Sequence, residues 1–191
     1  MSQSNHKAAV IGGGVIGAGW IARFLENGIN VSVYDPDPEA ERKIRAVLDN
    51  AERAYNKLTA APRRTPGTLS LHGSLDKAVL SASIIVESVP ERLDVKQAVY
   101  AEIESAAPPD ALITSSTSGI LPSDLQANMK TPERLLVAHP FNPVYLLPVV
   151  ELLGGKQTSE DSLRRAEAFF ENLVCTRYAS KKNSRPLSLT A

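Results

Sequence analysis

The 191-residue chain carries 21 Lys plus Arg against 21 Asp plus Glu, so its formal net charge is zero. That balance removes the basic field that would draw nucleic acid and the basic helix that would mark a membrane surface. The length suits one domain with a real core, and the uncharged stretch 8–22 is too short and too rich in glycine for a membrane span of about 20 residues.

The first residues, MSQSNHK, lack the charged-then-apolar order of a signal peptide. Residues 7–11 (KAAVI) form a short apolar strand that runs into glycines. A helix is expected over 15–27, with Ile16, Trp20, Ile21, Phe24 and Leu25 near one face and Gly28 as its stop. Residues 30–34 (NVSVY) alternate and read as a second strand. Asp37 and Pro38 suit the N-cap and first position of the next helix, where Ile44, Val47, Leu48, Ala51, Tyr55 and Leu58 recur at three- and four-residue steps as one buried face. Residues 60–67 (AAPRRTPG) read as a loop, 68–72 as a strand, and Ser74 as the cap of a short helix.

Residues 83–87 (SIIVE) are a central strand by their branched run. A helix is expected over 93–106, ended by Pro108-Pro109-Asp110, then a strand over 111–115 and a short helix over 122–128. Strands over 134–138 and 148–153 flank the motif AHPFNPVYLLPVVE. Thr158 with Asp161 starts a helix over 159–173, and 174–178 is a last strand. That strand holds the single cysteine, Cys175, which excludes an internal disulfide and fits a reducing compartment. The tail 179–191 has no apolar period and is expected to be disordered, leaving one domain over 1–178. Strands alternating with helices imply an α/β fold of the Rossmann type, with a doubly wound, mostly parallel sheet. A soluble, cytoplasmic protein is expected, with no nucleic-acid or membrane partner.

Gly12-Gly13-Gly14-Val15-Ile16-Gly17 satisfies G-x-G-x-x-G after a strand and at the start of a helix. Gly12 allows the tight turn, Gly14 leaves room for a pyrophosphate, and Gly17 lets helix and strand pack closely. The N–H groups of Gly13, Gly14, Val15 and Ile16 lie where a helix start holds phosphate. Asp35, eighteen residues past Gly17, would accept hydrogen bonds from the adenosine ribose and repel a 2′-phosphate, which favours NAD over NADP. An empty glycine turn, with Asp35 as a plain helix-start residue, is the competing reading; spacing and context weigh against it.

The strands around HPFNPVYLLPVVE are joined by a proline-containing loop. An antiparallel hairpin centred near Tyr145 sets His139 opposite Glu151, with Cβ atoms roughly 5 Å apart. A carboxylate inside VVELL is costly unless paired, and an imidazole is a suitable partner. Such a carboxylate orients the ring and leaves the other nitrogen for a substrate proton. Beside a nicotinamide cofactor the natural reaction is oxidation of an alcohol. A satisfied core pair with no chemistry is the bland alternative.

The glycine turn, the stretch Glu91-Arg92-Leu93-Asp94-Val95-Lys96, the run Ser115-Ser116-Thr117-Ser118-Gly119, and His139-Pro140-Phe141-Asn142-Pro143 with Glu151 together resemble the 3-hydroxyacyl-CoA dehydrogenase superfamily. The resemblance covers 7–178. Within it, SSTSGILPSDLQ and HPFNPVYLLPVVEL look most like the branch of L-carnitine 3-dehydrogenases; the L-gulonate 3-dehydrogenases related to lambda-crystallin are the runner-up. The resemblance implies NAD as cofactor, no metal, and a small 3-hydroxy acid as substrate. It implies His139 as catalytic base, Glu151 as its partner, and Ser118 and Asn142 as holders of the substrate oxygen. It places Glu91 and Lys96 near the nicotinamide end of the cleft, although both also suit a solvated helix start. Phe141 and Tyr145 flank the motif and could hold a quaternary ammonium by cation–π attraction. Members of the superfamily continue into a helical domain that closes the cleft and forms a homodimer. After Tyr178 this sequence turns polar and stops, so the expectation is the NAD-binding half alone: a fragment, an altered gene product or one partner of a split pair.

Overall fold

The computed structural model describes residues 7–58 and 65–173, with the backbone of 176–179. Fifteen elements follow in order: β1 (Lys7–Ile11), α1 (Val15–Glu26), β2 (Asn30–Tyr34), α2 (Ala40–Leu58), β3 (Leu69–Leu71), α3 (Leu75–Val79), β4 (Ile84–Glu87), α4 (Leu93–Ala106), β5 (Leu112–Ser115), α5 (Pro122–Leu125), a 3-10 turn (Pro132–Arg134), β6 (Leu135–Pro140), β7 (Val149–Gly154), α6 (Glu160–Asn172) and β8 (Thr176–Ala179). They build one eight-stranded sheet in the order β3-β2-β1-β4-β5-β6-β7-β8. The pairs from β3 through β6 are parallel, β6–β7 is antiparallel, and β8 runs parallel to β7.

Helices cover both faces, and strand parity decides which residue meets which layer. Val10, Val33, Val86, Leu136 and Val150 pack with Trp20 and Phe24 of α1, Ile44 of α2 and Phe170 of α6. Strand residues of the opposite parity, Ile11, Ile85, Ile113, Val137 and Leu153, pack with Val79, Tyr100, Ile103 and Leu125 on the other side. Trp20 stacks on the ring of Phe24 at 5.5 Å and meets Phe170 at 5.4 Å, contacts each worth about 0.5–1.5 kcal/mol beyond area burial. Strand order reverses between β1 and β4, the switch point where open α/β sheets bind ligands. No described helix is long and apolar enough to cross a membrane.

The expected elements appear with shifted ends. Helix α2 starts at Ala40, because Asp37 first closes a turn: its Oδ1 accepts the Glu39 N–H at 2.8 Å, and its carbonyl accepts that of Ala40 at 2.9 Å. Leu58, expected on the buried face, is exposed at the helix end. Ser74 stands at the N-cap of α3 without a side-chain capping bond. The cap of α6 is Ser159 and not Thr158: Ser159 Oγ accepts the Ser162 N–H at 3.0 Å. Thr158 is turned inward, where its hydroxyl donates to the Leu135 carbonyl at 2.6 Å. Residues 60–64 of the expected loop, Val174 and Cys175 of the last strand, and 180–191 of the tail lie outside the described residues; Ala179 closes β8.

Candidate functional site

At the switch point, β1 ends in a turn that only glycine can make at two places. Gly12 has φ +95°, and a Cβ there would stand 2.6 Å from the Ser88 carbonyl oxygen. A Cβ on Gly17 would stand 1.9 Å from the Gly12 oxygen, so α1 could not approach β1 with any larger residue. Gly14 is different: a Cβ there would meet nothing within 4 Å. Gly14 lines a cleft of about 580 Å3 whose walls include Ile11, Asp35, Leu75, Ser88, Val95 and Val99. No side chain caps α1, so its first N–H groups face that space without a side-chain acceptor. Val15 is 66% exposed on the first turn, and Ile16 is half-buried behind it.

Asp35 ends β2 on the same cleft. Its Oδ2 accepts the Gly13 N–H at 2.6 Å and its Oδ1 accepts the Asp37 N–H at 2.8 Å. Each oxygen keeps a lone pair for a further donor. A dinucleotide therefore fits what is present: a carboxylate at the end of β2, an uncapped helix start, and an open position at Gly14 that a side chain would fill.

The second half of the site stands at the same edge of the sheet. The β6–β7 register pairs His139 with Glu151, and His139 Nδ1 lies 3.4 Å from Glu151 Oε2, at the long end of hydrogen bonding. The Glu151 side chain is fully buried and that of His139 is 15% exposed. The Phe141 ring is centred 5.8 Å from the imidazole. Tyr145 does not join it: its ring meets Tyr55 of α2 edge-on at 6.4 Å. Ser118 and Asn142 are exposed, one in the turn after β5 and one in the loop after β6; β5 and β6 are parallel neighbours with Ser115 beside Val137. The Asn142–Pro143 peptide is cis.

Glu91 and Lys96 stand between these halves, but neither lines the large cleft. Lys96 is 1% exposed, with its ammonium 2.7 Å from Glu87 Oε1. Lys96 is therefore not the solvated helix-start residue that was the alternative reading for it. Glu91 Oε1 accepts the Thr117 hydroxyl and the N–H groups of Ser118 and Gly119, both at 3.0 Å. Burial works to raise the Glu91 carboxyl, yet Thr117, Lys96 and the Gly119 and Ser118 N–H groups together hold it below its ordinary value.

Three features had no counterpart in the sequence reading. Glu87 is wholly buried; beyond Lys96, it accepts the Val89 N–H at 2.8 Å and the Tyr100 and Ser115 hydroxyls, both at 2.6 Å. Burial, and then the Glu87 charge, push the Tyr100 hydroxyl well above its ordinary pKa. Trp20 Nε1 donates to Ser116 Oγ at 3.2 Å, and Ser116 Oγ lies 3.0 Å from Ser88 Oγ, joining α1 to the ends of β4 and β5. Arg23, 8% exposed, donates from Nε and Nη2 to the Val144 carbonyl at 3.2 and 3.0 Å, which ties α1 to the loop after His139. One signal was visible: a carboxylate closing the apolar strand IIVE, nine residues before a lysine.

A family model described as 3-hydroxyacyl-CoA dehydrogenase, NAD binding domain, matches residues 7–177. An L-carnitine dehydrogenase/betainyl-CoA thioesterase of Rhizobium meliloti (strain 1021) is 61% identical over 161 residues, 84% of this chain and 32% of that protein. An L-carnitine dehydrogenase of Mesorhizobium japonicum is 53% identical over 169 residues, 88% of this chain and 46% of that protein. Among solved structures, a 5-formyl-3-hydroxy-2-methylpyridine 4-carboxylic acid 5-dehydrogenase, described as an NAD+ dependent dismutase, superposes with a TM-score of 0.89 at 30% identity. That match covers 96% of this chain and 60% of the other. The chain spans between about a third and a half of the curated relatives it matches.

Proposed function

Because the chain belongs to the family of 3-hydroxyacyl-CoA dehydrogenase NAD-binding domains, we propose that it is the dinucleotide-binding part of an NAD-dependent dehydrogenase whose substrate is L-carnitine. The observation that carries the reading is the His139–Glu151 pair, a largely buried imidazole that keeps a small exposed edge, backed by a fully buried carboxylate at the sheet edge that holds the glycine turn.

Gly14, Val15 and Ile16 hold the pyrophosphate through backbone N–H groups, while the Gly13 N–H, already bound to Asp35 Oδ2, steadies the carboxylate that holds the adenosine ribose. Bound NAD supplies the acceptor for the hydride that leaves the carbinol carbon. His139 takes the hydroxyl proton on Nε2, while Nδ1 faces Glu151. The buried carboxylate stabilises the imidazolium as it forms and keeps the ring turned toward the substrate. Ser118 and Asn142 donate to the oxygen as it becomes a carbonyl. Phe141, tilted beside the imidazole, offers its face to the trimethylammonium of the substrate. A helical second domain that closes the cleft and pairs two chains is part of the same proposal.

The test is NADH formation from L-carnitine, with other 3-hydroxy acids as controls, in the chain alone and joined to the remainder of a homologous dehydrogenase. His139→Asn should abolish turnover in whichever form is active and leave NAD affinity within about twofold, since the imidazole acts on the proton and not on the cofactor. Turnover that survives this substitution excludes the mechanism.

A further inference from the structure

We propose that Gly19 and Arg23 of α1 form a latch for the loop between β6 and β7. Arg23 is a positioning residue that holds the Val144 carbonyl, Gly19 opens the notch that seats the Val144 side chain, and together they fix where Phe141 and Asn142 stand. The inference deepens the dehydrogenase reading and rests on it for the roles of Phe141 and Asn142.

Gly19 has no local reason to be glycine. It lies inside α1, where glycine is among the least favourable residues, and it lacks the positive φ of Gly12. Its reason is tertiary. A Cβ there would stand 2.8 Å from Val144 Cβ and 3.1 Å from its Cγ2. The helix therefore carries a notch, and Val144 fills it at 2% exposure. Residues four apart share one face of a helix, so Arg23 stands beside that notch. Its Nε and Nη2 donate to the Val144 carbonyl at 3.2 and 3.0 Å. Two donors on one edge of a planar guanidinium fix the direction of a carbonyl as well as its distance. Side chain and carbonyl of one loop residue are thus held by one helix.

The loop needs such a hold because the sheet gives it little. The ladder between β6 and β7 reaches only to Pro140 and Val150. Past it, the Phe141 N–H donates to the Val149 carbonyl at 3.3 Å, and the Leu146 and Leu147 N–H groups both donate to the Pro143 carbonyl at 2.9 Å. Those bonds shape the loop without attaching it to the domain. Val144 on α1 supplies the attachment, with Tyr145 against Tyr55 of α2. Asn142 is exposed and two residues from Val144, so it takes its place from the latch. The same helix carries the uncapped start that faces the cleft. One rigid element therefore sets both the cofactor end of the site and the loop that meets the substrate, and a donor to a reacting oxygen needs that fixed support.

Hydrogen exchange at the Leu146 and Leu147 amides reads the latch directly, without turnover. In Arg23→Met both amides should exchange at least about tenfold faster, the loss of hydrogen bonds from a charged donor. Arg23→Lys keeps the charge and one donor but not the fork, and should recover less than half of the lost protection on a logarithmic scale. Gly19→Ala suits the helix itself, so it should fold and still loosen the same amides. Ile103→Val weakens the core on the other face of the sheet and should leave them unchanged, because the loop opens locally. In the chain joined to the remainder of a homologous dehydrogenase, Arg23→Met should lower kcat/KM for L-carnitine at least about tenfold, while KM for NAD stays within about threefold. Unchanged loop exchange in Arg23→Met or in Gly19→Ala overturns the proposal. So does equal loosening in Ile103→Val, which would make these amides reporters of global stability alone. Full recovery by Arg23→Lys, or a loss in NAD binding as large as that in carnitine turnover, overturns the positioning role of Arg23. If the wild-type joined enzyme does not oxidise L-carnitine, the substrate reading fails by itself, and the loop amides still decide the latch.

Discussion

Glu91 is a half-exposed acid with an unusual share of donors, and its titration has a sign that can be checked. Burial opposes its ionisation, but the Thr117 hydroxyl, the Lys96 ammonium and two N–H groups outweigh it, so the folded value lies below the ordinary 4.5. A depressed carboxyl contributes stability that is fully present above its unfolded pKa and is lost as pH falls through the folded one. Protection of the Ser118 and Gly119 amides, corrected for intrinsic exchange, should therefore stay level down to 4.5 and fall only below it. In Glu91→Gln that acid step should vanish. Phe141 makes a second residue-scale prediction. With its ring 5.8 Å from that of His139, Phe141→Ala should raise KM for L-carnitine about threefold more than KM for an uncharged 3-hydroxy acid. Equal effects on both substrates would remove Phe141 from recognition of the ammonium. Tyr145, packed against Tyr55, should show no such difference.

Among the elements, α1 does the most joining. Its start faces the cleft, Trp20 reaches Ser116, and Arg23 reaches the Val144 carbonyl. The glycines at its start separate packing from binding. Gly17→Ala puts a Cβ 1.9 Å from the Gly12 oxygen, so the domain should lose several kcal/mol or fail to fold, about the worst of core overpacking. Gly14→Ala meets no protein atom, so stability should change by only a few tenths of a kcal/mol, about the cost of an N-cap substitution, while NAD affinity falls at least about tenfold. Thermal melts and NAD titrations of the two variants check both statements; a Gly14→Ala protein that binds NAD normally would show that the pyrophosphate lies elsewhere. Arg23→Met removes two donors from a buried carbonyl and should cost about 1–3 kcal/mol in a denaturant melt. These roles differ in how far sequence reveals them. The glycine turn, the branched strands and the pairing of His139 with Glu151 follow from local pattern and a period of two. The Glu87 cluster does not, because Glu87, Tyr100 and Ser115 come from three elements that meet only in the packed fold. Thr158 and Ser159 differ by one position, and which one caps α6 depends on a tertiary contact with the Leu135 carbonyl.

For the molecule as a whole, alternation of strands and helices predicts the doubly wound class, but strand order and the placing of β8 beside β7 come only from the fold. The cleft spans elements from both halves of the sheet, so a bound dinucleotide should stabilise all of it. At a hundred times its dissociation constant, NAD should add about 2.7 kcal/mol to the unfolding free energy. The melting temperature should rise with NAD concentration, and NADP should do much less against the Asp35 carboxylate; equal shifts with both would displace Asp35 from ribose recognition. The β6–β7 register adds a consequence about length. Because His139 meets Glu151 through hairpin pairing, the count of residues between them acts as a ruler for that contact. One inserted residue would present Val150 to the imidazole, and one deleted residue Leu152, unless a bulge absorbed the change. Side chains along 141–148 can thus be exchanged without unpairing the two residues, whereas the length of the span cannot change without replacing Glu151 opposite His139.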